Sequence, residues 1–206
     1  MADRGEDEPE GRAGVGRIEA FSDGVIAIII TIMVLELHAP VSERMDQLWS
    51  LWPIFLAYIL SYAYVAIYWV NHHRMFAHAM QVSNGLLWSN MLLLFTLSLI
   101  PFSTSYLGEH HFGQGATVVY LVTLLLPSIA YAWVQRIIRR TGRQTETALA
   151  YHRQALRKGL VSTIVYLLGI PLALVSPWLG IACAGLVALL WILPSSRLDR
   201  LFGGRA

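Results

Sequence analysis

Charge is scarce in this chain: Asp, Glu, Lys and Arg make up 14% of its 206 residues, against roughly 25% in an ordinary soluble domain. So few ions cannot clothe a water-facing surface, and a soluble fold is excluded at the outset. Cysteine is scarcer still. Cys183 stands alone, which rules out an intrachain disulfide framework, a thiolate zinc cluster and CxxC redox chemistry. No HExxH or GxSxG string occurs, so a membrane enzyme would have to be built from Asp23, His72 and His73, and no enzymatic activity is expected. The formal net charge of +2 is too small to mark a nucleic-acid binder.

What the chain does have is apolar length. Residues of the AVILMFWYC set make up 56%, gathered into windows of membrane-spanning length at 20–37, 48–70, 86–107, 116–135, 159–175 and 178–193. The reading is an all-α integral membrane protein of six transmembrane helices. Pro171 and the Ser176-Pro177 step interrupt the last apolar stretch, 159–193, which leaves one span plus a re-entrant segment as the alternative. Charge placement favours six: with both termini on one side, that side holds fourteen of the fifteen Lys and Arg residues, and the other holds only Arg44. Both termini are therefore assigned to the cytoplasm and the protein to the plasma membrane. Residues 1–16 read as a disordered acidic cytoplasmic tail, 17–193 as the transmembrane domain and 194–206 as a cytoplasmic C-terminal tail. The Arg-rich connection 136–158 suits helical extensions of spans four and five, in contact with anionic lipid.

The first span is unusual because Asp23 and Glu36 bracket only twelve residues, about 18 Å of helix where the hydrocarbon core is about 30 Å thick. A carboxylate near the lipid boundary must face protein or water, which places this helix centrally rather than at the periphery. At 100° per residue, Phe21, Gly24, Ile28, Ile32 and Leu35 fall near one line, with Thr31 beside Ile28 and with Ser22 and Asp23 turned toward neighbouring helices. Arg17, Asn71, His72, His73, Asn90 and indole N–H groups are available as donors for a buried carboxylate. Val25, Ile26, Ile29 and Ile30 are apolar too, so periodicity alone does not choose the face.

The string Arg17-x-x-x-Phe21-Ser22-Asp23, the following Gly-Val-Ile-Ala-Ile and the Thr31-containing run ending Val-Leu-Glu-Leu resemble the signature of the transmembrane protein 175 family of endolysosomal potassium channels. The likeness is to its prokaryotic, single-repeat members. Tyr68-Trp69-Val70-Asn71-His72-His73 also resembles the family's segment at the end of the second span. The resemblance implies a homotetramer whose first helices line a central pore, a potassium permeant and no TVGYG-type filter, a string this chain lacks. No cofactor is expected, and no metal either, because adjacent His72 and His73 point to different helix faces and only His73 and His78 could approach each other. The resemblance also implies Ile28 as a hydrophobic constriction, Thr31 as a hydroxyl layer and Leu35 as an outer apolar ring; Ile32 joins them by geometry. Arg17, Phe21, Ser22 and Asp23 are implied to form an interhelical network at the cytoplasmic base, with His72 and His73 as partners, and Glu36 stands near the outer mouth.

Plainer readings stand beside these. Thr31 could simply bond back to the preceding turn. Gly180, Ala184 and Ala188 form a small-residue ridge whose first use is packing inside the subunit. Proton permeation through the same architecture and a dimeric secondary transporter are the alternative functions.

Overall fold

In a computed structural model, described for residues 7–41 and 43–193 with side chains from Arg12 onward, the chain is all-helical. Helix α1 spans Asp7–Leu35 and the single turn-and-a-half α2 spans Met45–Ser50. The long α3 follows over Trp52–Phe76, then α4 (Asn84–Leu97), α5 (Ile100–Glu109), α6 (Gln114–Thr141), α7 (Glu146–Val175) and α8 (Pro177–Ile192). Five segments are long and apolar enough to cross a bilayer, α4 and α5 together counting as one, and α8 is a shorter apolar helix of 16 residues.

Element ends follow local chemistry. Ser83 caps α4 by accepting the Leu86 N–H at 3.1 Å, and Thr145 caps α7 by accepting that of Ala148 at 3.3 Å. The third span breaks at Ser98–Leu99 because Pro101 has no N–H to give the carbonyl of Leu97, the last residue of α4. Ser176 is extended and Pro177 opens α8, so the 159–193 stretch folds into two helices packed along each other. The expected extensions of spans four and five are present, with only 142–145 between α6 and α7. Residues 7–16 differ from expectation. They continue α1 as helix instead of forming an unstructured tail: Gly11, Gly14 and Gly16 give the segment little propensity of its own, and the packed turn at Val15 and Ile18 carries the helix back from the span. Residues 1–6 and the expected tail 194–206 lie outside the described residues.

Packing explains the polar and small residues. Tyr64 donates to the Ala184 carbonyl, and Thr104, Ser61 and Tyr120 form a buried hydroxyl chain with links of 2.7 and 2.9 Å, so none of these four hydroxyls is stranded in the apolar interior. The ridge on α8 packs within the subunit: a Cβ on Gly180 would lie 2.8 Å from the Ala173 Cβ and 2.9 Å from Thr117 Cγ2. Many large apolar side chains, among them Trp88, Phe102, Leu168 and Leu186, point outward. That inverts the water-soluble pattern and suits a lipid solvent. Helix α1 packs on α3, α4 and α5, whereas α7 and α8 pack mainly on α6 and each other. The first helix thus runs along one edge of the protomer, not through its centre as the two bracketing carboxylates suggested.

Candidate permeation surface on the first helix

One face of α1 is anchored. Val15, Ile18, Ser22, Ile26, Ile29 and Met33 recur at spacings of three and four and are all buried. The other side carries Phe21 (55% exposed), Gly24, Ile28 (59%), Thr31, Ile32 (41%) and Leu35 (70%). The stripe drawn from the helical wheel is therefore the surface that the protomer leaves uncovered. Thr31 Oγ1 donates to the Ala27 carbonyl at 2.9 Å, the back-bond of the plainer reading. With its proton so used, the exposed hydroxyl turns lone pairs outward.

At the Asp23 end a polar network ties α1 to its neighbours. Ser22 Oγ donates to the Ile18 carbonyl at 2.8 Å and accepts from Asn90 Nδ2 at 2.9 Å. Asn90 Oδ1 accepts from His72 Nε2 at 2.9 Å, which makes Nε2 the protonated ring nitrogen. Asp23 Oδ1 accepts the Trp69 indole N–H at 2.9 Å. The three links join α1, α3 and α4. His73 Nδ1 approaches Glu19 Oε1 at 3.1 Å, a pair that sequence reading overlooked because Glu19 lies outside the Phe21-Ser22-Asp23 string. Arg17 and Phe21 do not enter these bonds. Both are exposed and line a groove with Val82, Leu87 and Met91.

At the opposite end, Ser105 Oγ lies 3.3 Å from Glu36 Oε2 and 3.1 Å from Glu109 Oε1, so the two carboxylates share one hydroxyl. Ser105 and Glu109 are another omission, legible as an i, i+4 pair on one helix face. These three residues close one end of a groove of about 640 Å³ between α1 and α5, whose apolar wall includes Ile28, Ile32 and Phe102. An apolar stripe with a hydroxyl beside it and acids at one end can admit a hydrated cation, but it offers no cage of carbonyls to replace that cation's water.

Comparison with known proteins bears on this surface. The family model of the endosomal/lysosomal potassium channel TMEM175 matches residues 17–101, which include most of α1 and all of α3 and α4. A potassium channel of Chryseobacterium sp. (strain P1-3) is 44% identical over 186 residues, covering 90% of this chain and 96% of its own. The chain belongs to the TMEM175 family. A crystal structure of a lysosomal potassium-selective channel TMEM175 homolog from Chamaesiphon minutus superposes with a TM-score of 0.76 at 30% identity, over 87% of this chain and 96% of the other. The human endosomal/lysosomal proton channel TMEM175 is 39% identical over 95 residues, 40% of this chain and 18% of its own length. These TMEM175 relatives are ion channels, so this protein is a membrane-spanning member of a channel family and not an enzyme.

Proposed function

We propose that the chain is a potassium-permeable cation channel of the plasma membrane, a homotetramer of six-span subunits with both termini in the cytoplasm. Its first helices surround the permeation path. The observation that carries this reading is the uncovered Phe21, Ile28 and Leu35 face on a helix whose opposite face is fixed by a buried polar network. A helix held so firmly on one side and bare on the other is built to meet copies of itself. Beside that stripe runs a second row of small exposed residues, Ala20, Gly24, Ala27 and Thr31, which lets neighbouring helices approach closely while the larger Ile28 and Leu35 turn to the axis. The α1 edge of the protomer becomes the centre of the assembly.

Four Ile28 side chains form an apolar ring that excludes water when narrow, so conduction is controlled by wetting of this constriction and not by a TVGYG-type filter. Potassium holds its hydration less tightly than sodium, and a wetted ring with Thr31 hydroxyls nearby favours it modestly. Ile32 flanks the ring and Leu35 forms a further apolar layer toward the outside. Glu36, with Glu109, raises the local cation concentration at the outer mouth. Arg17 and Phe21 complete the base of the network between subunits, whereas Ser22, Asp23, His72 and His73 serve it within one. No cofactor takes part, and potassium itself is the permeant species.

Proton permeation through the same throat is the second reading, favoured by the human relative's name over the region it shares. Purified protein in planar bilayers, bathed in asymmetric potassium, sodium or pH gradients, separates the two. Stepwise currents reversing near the potassium potential support the main reading, and reversal near the proton potential supports the second. Saturable flux without unitary steps sinks both and points to the transporter.

A further inference from the structure

A cleft of about 230 Å³ opens between the C-terminal ends of α3 and α8 and the first half of α7. Its walls include Asn71, Arg74, Tyr151, Lys158 and Trp191, and among the described residues no acidic side chain lines it. Tyr131 and Tyr151 both donate to the Asn71 carbonyl at 3.2 Å, which fixes the inner wall. Lys158 Nζ donates to the Leu193 carbonyl at 3.1 Å and stands 5.7 Å from the Trp191 ring centre, so its charge is held over the opening. Trp191 in turn is pinned by its indole N–H to Ser162 Oγ at 2.9 Å. Arg74 is exposed and, among the described residues, pairs with no carboxylate.

Two cations, an amide and a phenol around one concavity suit an anionic oxygen cluster. We propose that this cleft binds the phosphate headgroup of an anionic phospholipid. The surroundings argue for a lipid over a soluble anion. Ile192 on the cleft wall is 58% exposed and Leu189, one turn below, 57%, which gives acyl chains an apolar track leading straight from the headgroup. The chains lie along that track and do not enter the protein, because the aromatic cavity beneath, bounded by Tyr64, Tyr68, Tyr131 and Trp191, has only about 20 Å³ of free space, enough for one water. The site rests on the channel reading only for its leaflet, the cytoplasmic one. Its occupancy is independent of conduction.

The test uses full-length protein in detergent, titrated with phosphatidylglycerol or phosphatidylcholine, with lipid adducts per chain counted by native mass spectrometry. One phosphatidylglycerol per chain is expected, at least about tenfold tighter than phosphatidylcholine. Removing a near-surface cation by Arg74→Gln or Lys158→Gln should each weaken it about fivefold. Arg74→Lys restores binding to within about twofold, and the Arg139→Gln/Arg140→Gln pair, which removes two exposed charges from the end of α6, leaves it unchanged. The proposal is overturned by equal affinity for the two lipids, by an equal loss in the Arg139/Arg140 variant, or by no loss in either cleft variant. Displacement of the adduct by inorganic phosphate at matched concentration would also overturn it, in favour of a soluble-anion site. Each outcome is read on binding alone, so a failure here leaves the currents, and the channel reading, to stand or fall separately.

Discussion

Replacing Ile28 by Asn puts an amide where the proposed throat needs an apolar surface, and the structure allows the size of the effect to be worked out. Ile28 is 59% exposed in the protomer, so the substitution removes little intrasubunit packing and the subunit should fold. Hydrating that exposed fraction of an isoleucine side chain costs roughly 0.9–1.8 kcal/mol, so wetting a ring of four costs about 4–7 kcal/mol. Every 1.4 kcal/mol is a factor of about ten in an equilibrium, so the dry state of the ring is favoured by roughly three to five orders of magnitude. Asparagine removes most of this bias. Liposome flux driven by a potassium gradient should therefore rise at least about tenfold, with the preference over sodium falling as the throat stays wet. Ile26, two residues earlier but 1% exposed, is the control. Ile26→Asn buries an unpartnered amide, costs about 3 kcal/mol or more, and should abolish assembly. Unchanged or reduced flux through a normally assembled Ile28→Asn protein would refute the hydrophobic throat.

The remaining expectations test the network, the mouth and the packing. Asn90→Ala deprives both Ser22 and His72 of a buried partner, so thermal stability in detergent should fall by about 1–3 kcal/mol, with the ion preference of assembled channels unchanged. Asp23→Ala, which leaves the Trp69 indole without its acceptor, should likewise lower the yield of tetramer on size-exclusion chromatography; a normally assembled variant with altered selectivity would contradict its placement. Glu36→Gln should reduce single-channel conductance at low salt and have little effect at high salt, since the attraction of an exposed carboxylate is screened within about 10 Å at 0.1 M ionic strength. Gly108→Ala would set a Cβ 2.8 Å from the Ile54 Cα, and a backbone neighbour cannot step aside, so a loss of about 1–3 kcal/mol in unfolding stability is expected.

Legibility in the sequence varied from element to element. The break at Ser176-Pro177 was readable because a proline with an extended neighbour is a local matter. The break at Ser98–Leu99 is equally local, but continuous hydropathy across 86–107 hid it. The helicity of residues 7–16 is not legible locally, because three glycines and Pro9 argue against it and only continuity with the anchored span supplies it. The stripe on α1 could be drawn on a wheel, yet Ile26, Ile28, Ile29 and Ile30 are chemically interchangeable, and the family signature supplied the choice that periodicity lacked.

Sequence alone determined the solvent and the count of apolar segments, because transfer into hydrocarbon depends on composition along a window and needs no knowledge of neighbours. It also narrowed the partners of Asp23 to a short set of donors. Tertiary structure decided which of those donors serve and whom: Trp69 takes Asp23 across 46 residues of chain, while Asn90 takes Ser22 across 68 and is itself held by His72. It joined Glu36 to Ser105 and Glu109, and brought Arg74 and Lys158 to one cleft. Contacts between distant helices depend on crossing angle and depth, quantities that no local pattern encodes. For the same reason the first helix, marked as special by its own residues, was found at the protomer's edge only once the whole bundle was in view.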